Sequence, residues 1–347
     1  MSYAFDKAIE DKSNILFEKL GFYLTTLKNP SLLFKKGDTV YIPDIHGDFV
    51  HLIVTLFQHD LLENNLDLKK DFTYVFLGDF YDRAPDSDVL DFWVNKQIEK
   101  EREIYRLIGN HEMAFFEIDE NNYPVIFPSQ DSIKDVENNF RITENLLKSL
   151  AEGTILATYV DCRDALQCVS TMYIHSFIVN DDFKELGLKP DSSIFDFAHL
   201  LNARLKHHGE YAYNVFLDCK KKKDFNWKEI LKSFNSDPMF NLYEKKNDLN
   251  TSFLWRRTGI PVLKVYPVEM DADIPENLFQ IVGHTPVFSF NLPGDKPVTE
   301  PFILGSKNST GCVQFSDVGI GYYYRNDDFE RPEVVIRKLE RIVSLDS

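Results

Sequence analysis

Four short polar clusters, each placed directly after an apolar run, constrain this chain more than any other feature. The runs are Thr39 to Ile42, Thr73 to Leu77, Ile104 to Ile108 and Leu278 to Val282. The clusters are Asp44-Ile-His46-Gly-Asp48, Gly78-Asp79-Phe-Tyr-Asp82-Arg83, Gly109-Asn110-His111-Glu112 and Gly283-His284-Thr285. Short runs rich in Val, Ile, Tyr and Phe read as strands. Carboxylates, imidazoles and an amide at the carboxyl ends of several strands stand where open α/β sheets place their chemistry. One such pairing would carry little weight. Four in order point to one site assembled from strand ends.

The chain between the clusters supports that plan. Val50 to Gln58 and Ser87 to Glu99 are amphipathic and suit crossover helices, giving a βαβαβ order with a parallel core sheet. Residues 4 to about 28 predict a helix ended by Asn29-Pro30, so residues 1–35 form an N-terminal helical extension. Residues 36–347 then make a single catalytic domain, with helical elaborations at about 117–165 and 180–250. The first reads as loop followed by helix, clearest from Arg141 to Ala151; the second is mainly helical, as in Phe195 to Leu205. Both are expected to cover the mouth of the site, where substrate selection usually resides. After residue 260 short strands return: Val262 to Tyr266, Leu278 to Val282, Cys312 to Phe315, Tyr322 to Tyr324 and Val334 to Ile336. They predict a second sheet packed on the first.

Charge and cysteine usage exclude some classes. With 347 residues and a net charge of −16, the chain lacks the clustered Lys and Arg of a nucleic-acid-binding surface. The one dense basic run, Lys220 to Lys223, reads as a solvated loop. Cys162, Cys168, Cys219 and Cys312 contain no Cys-x-x-Cys pair, so free thiols in a reducing compartment are expected rather than a zinc or redox site. Met1 to Lys7 shows no basic region followed by an apolar stretch, and no apolar window approaches bilayer length. The expectation is a soluble protein without a secretory signal.

The donor types point to metal-assisted phosphoester chemistry. Hydrolysis of a phosphate ester needs a nucleophile that works at neutral pH and positive charge around the phosphoryl oxygens, and a pair of divalent ions supplies both. Carboxylate, imidazole and amide donors suit Mn, Fe or Zn. Asp44 and His46 lie two apart on an extended segment and can point at one ion. Asp79, at the next strand end, suits a carboxylate bridging two ions, and Asn110 offers an amide oxygen. Asp48 and Glu112 are expected to orient neighbours, Asp86 to cap the following helix, and Asp317 to shape a loop near the site. His51, His59, His199, His207 and His208 have no partner pattern and read as structural or exposed.

Asp-x-His-Gly, Gly-Asp-x-x-Asp-Arg and Gly-Asn-His-Glu, followed by later histidines, resemble the PPP family of metal-dependent phosphoprotein phosphatases, which includes bacterial diadenosine-tetraphosphate hydrolases and their phosphatase relatives. Arg83-Ala-Pro85-Asp86-Ser87, Trp255-Arg-Arg257 and Ser316-Asp317-Val-Gly319 are similar to stretches typical of the bacterial members. The match runs from about residue 38 to 338 and is dense only at the motifs. The resemblance implies an α/β fold: a metallophosphoesterase-type central β-sandwich of two mixed sheets flanked by helices, with helical insertions over the active site. It implies two divalent ions, Mn2+ first with Fe or Zn as alternatives. Asp44, His46 and Asp79 would hold one, and Asp79, Asn110, His175 and His284 the other. His111 would be the general acid, with Asp82 accepting its other N–H. Arg83 and Arg257 would clamp the phosphoryl oxygens, with Arg256 the alternative to Arg257. A hydroxide bridging the metals would attack phosphorus in line, with no covalent enzyme intermediate.

Three departures mark a divergent member. Pro43 stands for the glycine usual before the first aspartate, Ala84 for the glycine after Asp82-Arg83, and His175-Ser176-Phe177 for His-Gly-Gly. They leave substrate class more open than reaction type. The function implied is a phosphomonoesterase acting on a phosphoprotein substrate at phosphoserine and phosphothreonine. The alternatives are a phosphotyrosine preference, or hydrolysis of dinucleoside polyphosphates or another small phosphoester, the latter suggested by Pro85-Asp86-Ser87. Asp82-Arg83 and the acidic charge argue against a nuclease. No nucleic-acid partner and no membrane span are expected, and a monomer is favoured. A loose likeness to PPP-like proteins that intracellular bacteria deliver into host cells makes delivery the alternative to a cytoplasmic location.

Overall fold

A computed structural model describes residues 2–24, 34–81, 83–84, 86–114, 136–161, 170–189, 191–240, 252–254, 256, 270, 272–286, 291–292, 296–297, 301–307 and 309–317. The helices are α1 (Ser2–Leu24), α2 (Phe49–Gln58), α3 (Ser87–Glu99), α4 (Asn110–Ala114), α5 (Val136–Glu152), α6 (Asn180–Glu185), α7 (Ile194–Lys222) and α8 (Trp227–Asn235). The strands are β1 (Thr39–Ile42), β2 (Thr73–Phe76), β3 (Glu103–Leu107), β4 (Ile155–Leu156), β5 (Thr158–Asp161), β6 (Ser170–Ile174), β7 (Leu278–Pro286), β8 (Asn291–Leu292), β9 (Lys296–Pro297), β10 (Phe302–Gly305) and β11 (Cys312–Asp317).

The first sheet runs β1-β2-β3-β4, and every pairing in it is parallel. The second runs β10-β11-β7-β6-β5, with β7 parallel to both β6 and β11 and antiparallel strands at the edges. The two-sheet α/β plan agrees with expectation; among the described residues the first sheet is parallel throughout, as the βαβαβ order predicts, where the resemblance implied a mixed one. A parallel pair needs a crossover connection, which α2 supplies between β1 and β2 and α3 between β2 and β3. β1 and β2 are buried on both faces, which is why they read as unbroken apolar runs, while β3 is buried only at its carboxyl end. Val40, Ile42, Tyr74 and Phe76 pack on the helix side. Tyr41, Val75, Leu77 and Leu107 point the other way and meet Tyr173, Phe279 and Ile281 of the second sheet. That layer is the centre of the sandwich, and Gln314 crosses it to donate to the Tyr41 hydroxyl at 2.7 Å.

Several local expectations change. Residues 155–161 form β4 and β5, where only loop and helix were anticipated; β4 extends the first sheet beside β3, and β5 lies antiparallel to β6. Lys220 to Lys222 are the last turn of α7 rather than a loop, where cations complement the carboxyl end of a helix. Lys220 reaches Glu144 of α5 at 2.6 Å. Asp86 occupies the cap position of α3 without making a side-chain cap bond. Instead Lys12 of α1 draws it in at 3.9 Å while bonding Asp88 at 2.8 Å, a polar tie between α1 and α3. Asp48 does cap α2, accepting the His51 N–H at 3.1 Å.

His208 is a structural residue. Its ring lies 2.5 Å from the Ser233 hydroxyl and 2.7 Å from Asp237, and Arg204 also reaches Asp237 at 2.6 Å. Burial pushes the Asp237 carboxyl up, but hydrogen bonds from His208 and the Met239 N–H, with the Arg204 charge, hold it below the usual range. This cluster docks α8 on α7. Cys219 and Cys312 are free thiols. No helix among the described residues is long and apolar enough to cross a membrane. The strands anticipated at Val262–Tyr266, Tyr322–Tyr324 and Val334–Ile336, and Cys162 and Cys168, lie outside the described residues.

Candidate metal centre

The carboxyl ends of β1, β2, β3, β6 and β7 meet at one place. Asp44 follows β1, Asp79 follows β2, Asn110 and His111 follow β3, and His175 follows β6, while His284 lies near the end of β7. Glycines make the approach possible. A Cβ on Gly109 would lie 2.2 Å from the Asp79 carboxylate, and one on Gly283 would lie 2.2 Å from that of Asp44. The two sheets are joined here by the His284 N–H, 3.0 Å from each carboxylate oxygen of Asp44.

The turns carrying these side chains are strained. Among the nine described non-glycine residues with positive φ, His46 (52°), Asp79 (49°), Arg83 (66°) and His284 (58°) belong to this cluster. Each such conformation costs on the order of 1–3 kcal/mol and persists only where the surroundings over-determine it. Here they do. The N–H groups of Ile45 and His46 both donate to the Asp79 carbonyl, at 3.0 and 2.8 Å. Glu112 accepts from the N–H groups of Asp79, Phe80 and Gly109 at 2.8, 2.6 and 2.8 Å, bracing the β2 and β3 loops together. Glu112 therefore orients its neighbours, as expected. Burial and the Asp79 charge push its carboxyl up to about 7 against the pull of those N–H groups.

Asp79 is common to two groups whose donor atoms converge, His46–Asp79–His111 and Asp79–His175–His284. Its carboxylate lies 3.9 Å from His46 and from His111, and 3.4 Å from His175. Asn110 turns its amide oxygen to His175 at 2.8 Å and to His284 at 2.9 Å. All these side chains are buried. Burial pushes the Asp79 carboxyl up, but the imidazoles of His175, His111, His46 and His284 outweigh it and hold it well below the usual range. Asp44 is pushed well above that range by burial, then by the charges of Asp317 and Asp79. Burial, His111 and Arg83 push His46 well below an ordinary imidazole, so it stays a neutral donor.

The donor set fits divalent cations on a specific point. His175 Nδ1 lies 2.8 Å from the Leu77 carbonyl, which can only accept, so the ring proton sits on Nδ1. The Nε2 lone pair then faces the Asn110 oxygen and an Asp79 oxygen, both acceptors. A proton on Nε2 would satisfy one of these contacts; a cation satisfies all three lone pairs at once. Imidazole, carboxylate and amide oxygen around one point are the ligands of Mn, Fe or Zn. In the first group the Arg83 guanidinium supplies positive charge, lying 3.1 Å from His46 Nε2 and 3.0 Å from His111 Nε2.

The structure thus brings together Asp44, His46, Asp79, Asn110, His111, His175, His284 and Arg83. Asp44 sits on the β7 side, with His284 and 4.0 Å from His175, while His111 accompanies His46. Asp82 and Arg257 lie outside the described residues. Arg256 is buried, and its guanidinium is taken up by Asp182 at 2.5 and 2.9 Å and by the Phe177 carbonyl at 2.9 Å, which removes it as a phosphoryl clamp. Asp317 is buried at the end of β11, and its charge helps push the Asp44 carboxyl up. Sequence reading missed Asp182 and Gln280, which brace the segment after His175. No local pattern marks either.

No known protein family and no curated protein matches the chain by sequence. The chain is also similar, at low identity, to several solved structures. One is a cold-active protein tyrosine phosphatase of a psychrophile Shewanella species, at 13% identity and TM-score 0.45, covering 85% of this chain and 74% of that one. Another is a Saccharomyces cerevisiae protein serine/threonine phosphatase with similarity to human PP5, at 13% and 0.40, covering 88% and 77%. A third is the phosphatase domain of the Legionella effector WipB, at 14% and 0.38, covering 70% and 86%. Likenesses this distant assign no activity, so the functional reading rests on the residues of this chain.

Proposed function

We propose that this chain is a divergent PPP-type phosphomonoesterase, dependent on two divalent metal ions and acting on phosphoproteins. The observation that carries the reading is the sharing of Asp79 between two histidine groups, one of them closed by the lone pairs of His175 and Asn110. Asp44, His46, Asp79, Asn110, His175 and His284 would hold the ions, with Mn2+ the first choice for these donors. When bound, such ions supply an acidified water and charge for the phosphoryl oxygens.

The chain's own residues supply the rest. His111 donates a proton to the leaving oxygen, its backbone pinned by the hydrogen bond from its N–H to Asp79 at 2.9 Å. Arg83, already directed into the cluster, swings its planar fork onto phosphoryl oxygens. Asp82 orients the acid and Arg257 completes the clamp, on the strength of their motifs. A phosphoprotein rather than a small nucleotide as substrate is supported by the helical elaboration built by α5, α7 and α8, a recognition surface that a small-nucleotide hydrolase does not need; phosphoserine and phosphothreonine are the first choice of residue, with phosphotyrosine the variant.

The test is a substrate panel with Mn2+-loaded protein: phosphoserine, phosphothreonine and phosphotyrosine peptides beside a dinucleoside tetraphosphate. The phosphoserine and phosphothreonine peptides are expected to give the highest kcat/KM, with all turnover lost on chelation. Preference for the dinucleotide or for phosphotyrosine overturns the substrate class, and turnover that survives chelation overturns the chemistry.

A further inference from the structure

The segment that follows His175 has no regular structure until α6, yet it is held at almost every residue by buried side chains from distant parts of the chain. The Ser176 hydroxyl donates to the Arg256 carbonyl. The Arg256 guanidinium donates to the Phe177 carbonyl and forms a two-pronged pair with Asp182. Asp182 also accepts the Val179 N–H at 2.8 Å. Gln280, fully buried on β7, accepts the Ile178 N–H at 2.8 Å and donates back to the Ile178 carbonyl at 3.0 Å. Gln280 stands four residues before His284 on the same strand, so one strand carries a candidate ligand and a brace for the other ligand's loop.

We propose that Asp182, Arg256 and Ser176 are positioning residues for the metal site, fixing the loop that aims His175 Nε2 at Asn110 and Asp79. The inference rests on the functional reading above. A loop bearing one ligand has to be fixed to well within an ångström for the ligand to count, and groups behind first ligands commonly set affinity by about 10–100-fold. Where the resembled family has two glycines after this histidine, this chain has Ser176 and Phe177. The serine hydroxyl is taken up by the Arg256 carbonyl, and the Phe177 ring is buried edge-on to Phe315 while its carbonyl accepts from the Arg256 guanidinium. Burying a charged pair is weak evidence for stability, since apolar pairs of similar volume serve a core as well or better. A pair kept there for its directed hydrogen bonds is explained by what it holds in place.

Calorimetric titration of Mn2+ into metal-free protein tests this. Wild type is expected to show two binding events; fewer than two overturns the functional reading, and with it this inference. In the double variant Asp182→Leu/Arg256→Met, which keeps the volume and removes the directed bonds, one event is expected to weaken about tenfold or more. The other event and the melting temperature of the metal-free protein stay near wild type, and turnover recovers at saturating Mn2+. Asp182→Glu, which keeps the charge, restores part of the lost affinity. Two events of unchanged affinity in the folded double variant overturn the inference while leaving the functional reading intact. If the double variant does not fold, Ser176→Gly decides: weakening of one event supports the positioning role, and unchanged affinities overturn it.

Discussion

Asp79→Asn is expected to leave a folded protein whose kcat/KM for a phosphomonoester falls by about 10³-fold or more, a loss at or beyond that of removing one preorganised charge-stabilising group. The substitution is nearly isosteric. The amide oxygen can still accept the His111 N–H that the carboxylate accepts at 2.9 Å, and the Asp79 backbone N–H still reaches Glu112. What disappears is the negative charge that four imidazoles surround and that both histidine groups share. Both Mn2+ binding events should weaken together, because Asp79 belongs to both groups. Thermal melting, Mn2+ titration and steady-state kinetics check the three parts. A folded variant that hydrolyses phosphoester at the wild-type rate would remove the basis of the reading.

His111→Asn is expected to behave differently: kcat drops by roughly 10²–10⁴-fold, the range of a general acid, with Mn2+ affinity close to wild type. The loss should depend on the leaving group. A phosphoserine peptide releases a poor alkoxide and needs the proton, whereas p-nitrophenyl phosphate releases a stable phenolate and should be affected far less. The His111 ring packs against His46 with centroids 4.6 Å apart and converges with Asp79, so the geometry also offers it as a metal donor. Equal losses on both substrates, together with loss of an Mn2+ event, would assign it that role instead and overturn its part as the acid.

The elements that carry the site are legible in the sequence for a physical reason. β1, β2 and β7 are buried along their described length and β6 nearly so, while β3 is buried only at its carboxyl end, and each candidate ligand sits within a few residues of a run's end. What depends on distant partners is not legible. β4 and β5 exist because β3 and β6 offer them edges, and residues 154–161 alone carry no sign of that. Arg256 and Arg257 are adjacent and identical in type; Asp182, 74 positions away from Arg256, decides that Arg256 goes to the core. Asp86 would cap α3 by local pattern, but Lys12 on α1 draws its carboxylate away. The Lys220–Lys222 run looks like a solvated loop by composition, yet α7 continues through it because the preceding turns are packed against α5 and α8.

Anomalous diffraction from crystals soaked with Mn2+ and inorganic phosphate tests the central claim most directly. The account predicts two strong peaks on either side of the Asp79 carboxylate, one against His46 and the other against Asn110, His175 and His284, with phosphate gripped by Arg83. A single peak, or peaks away from Asp79, would contradict it.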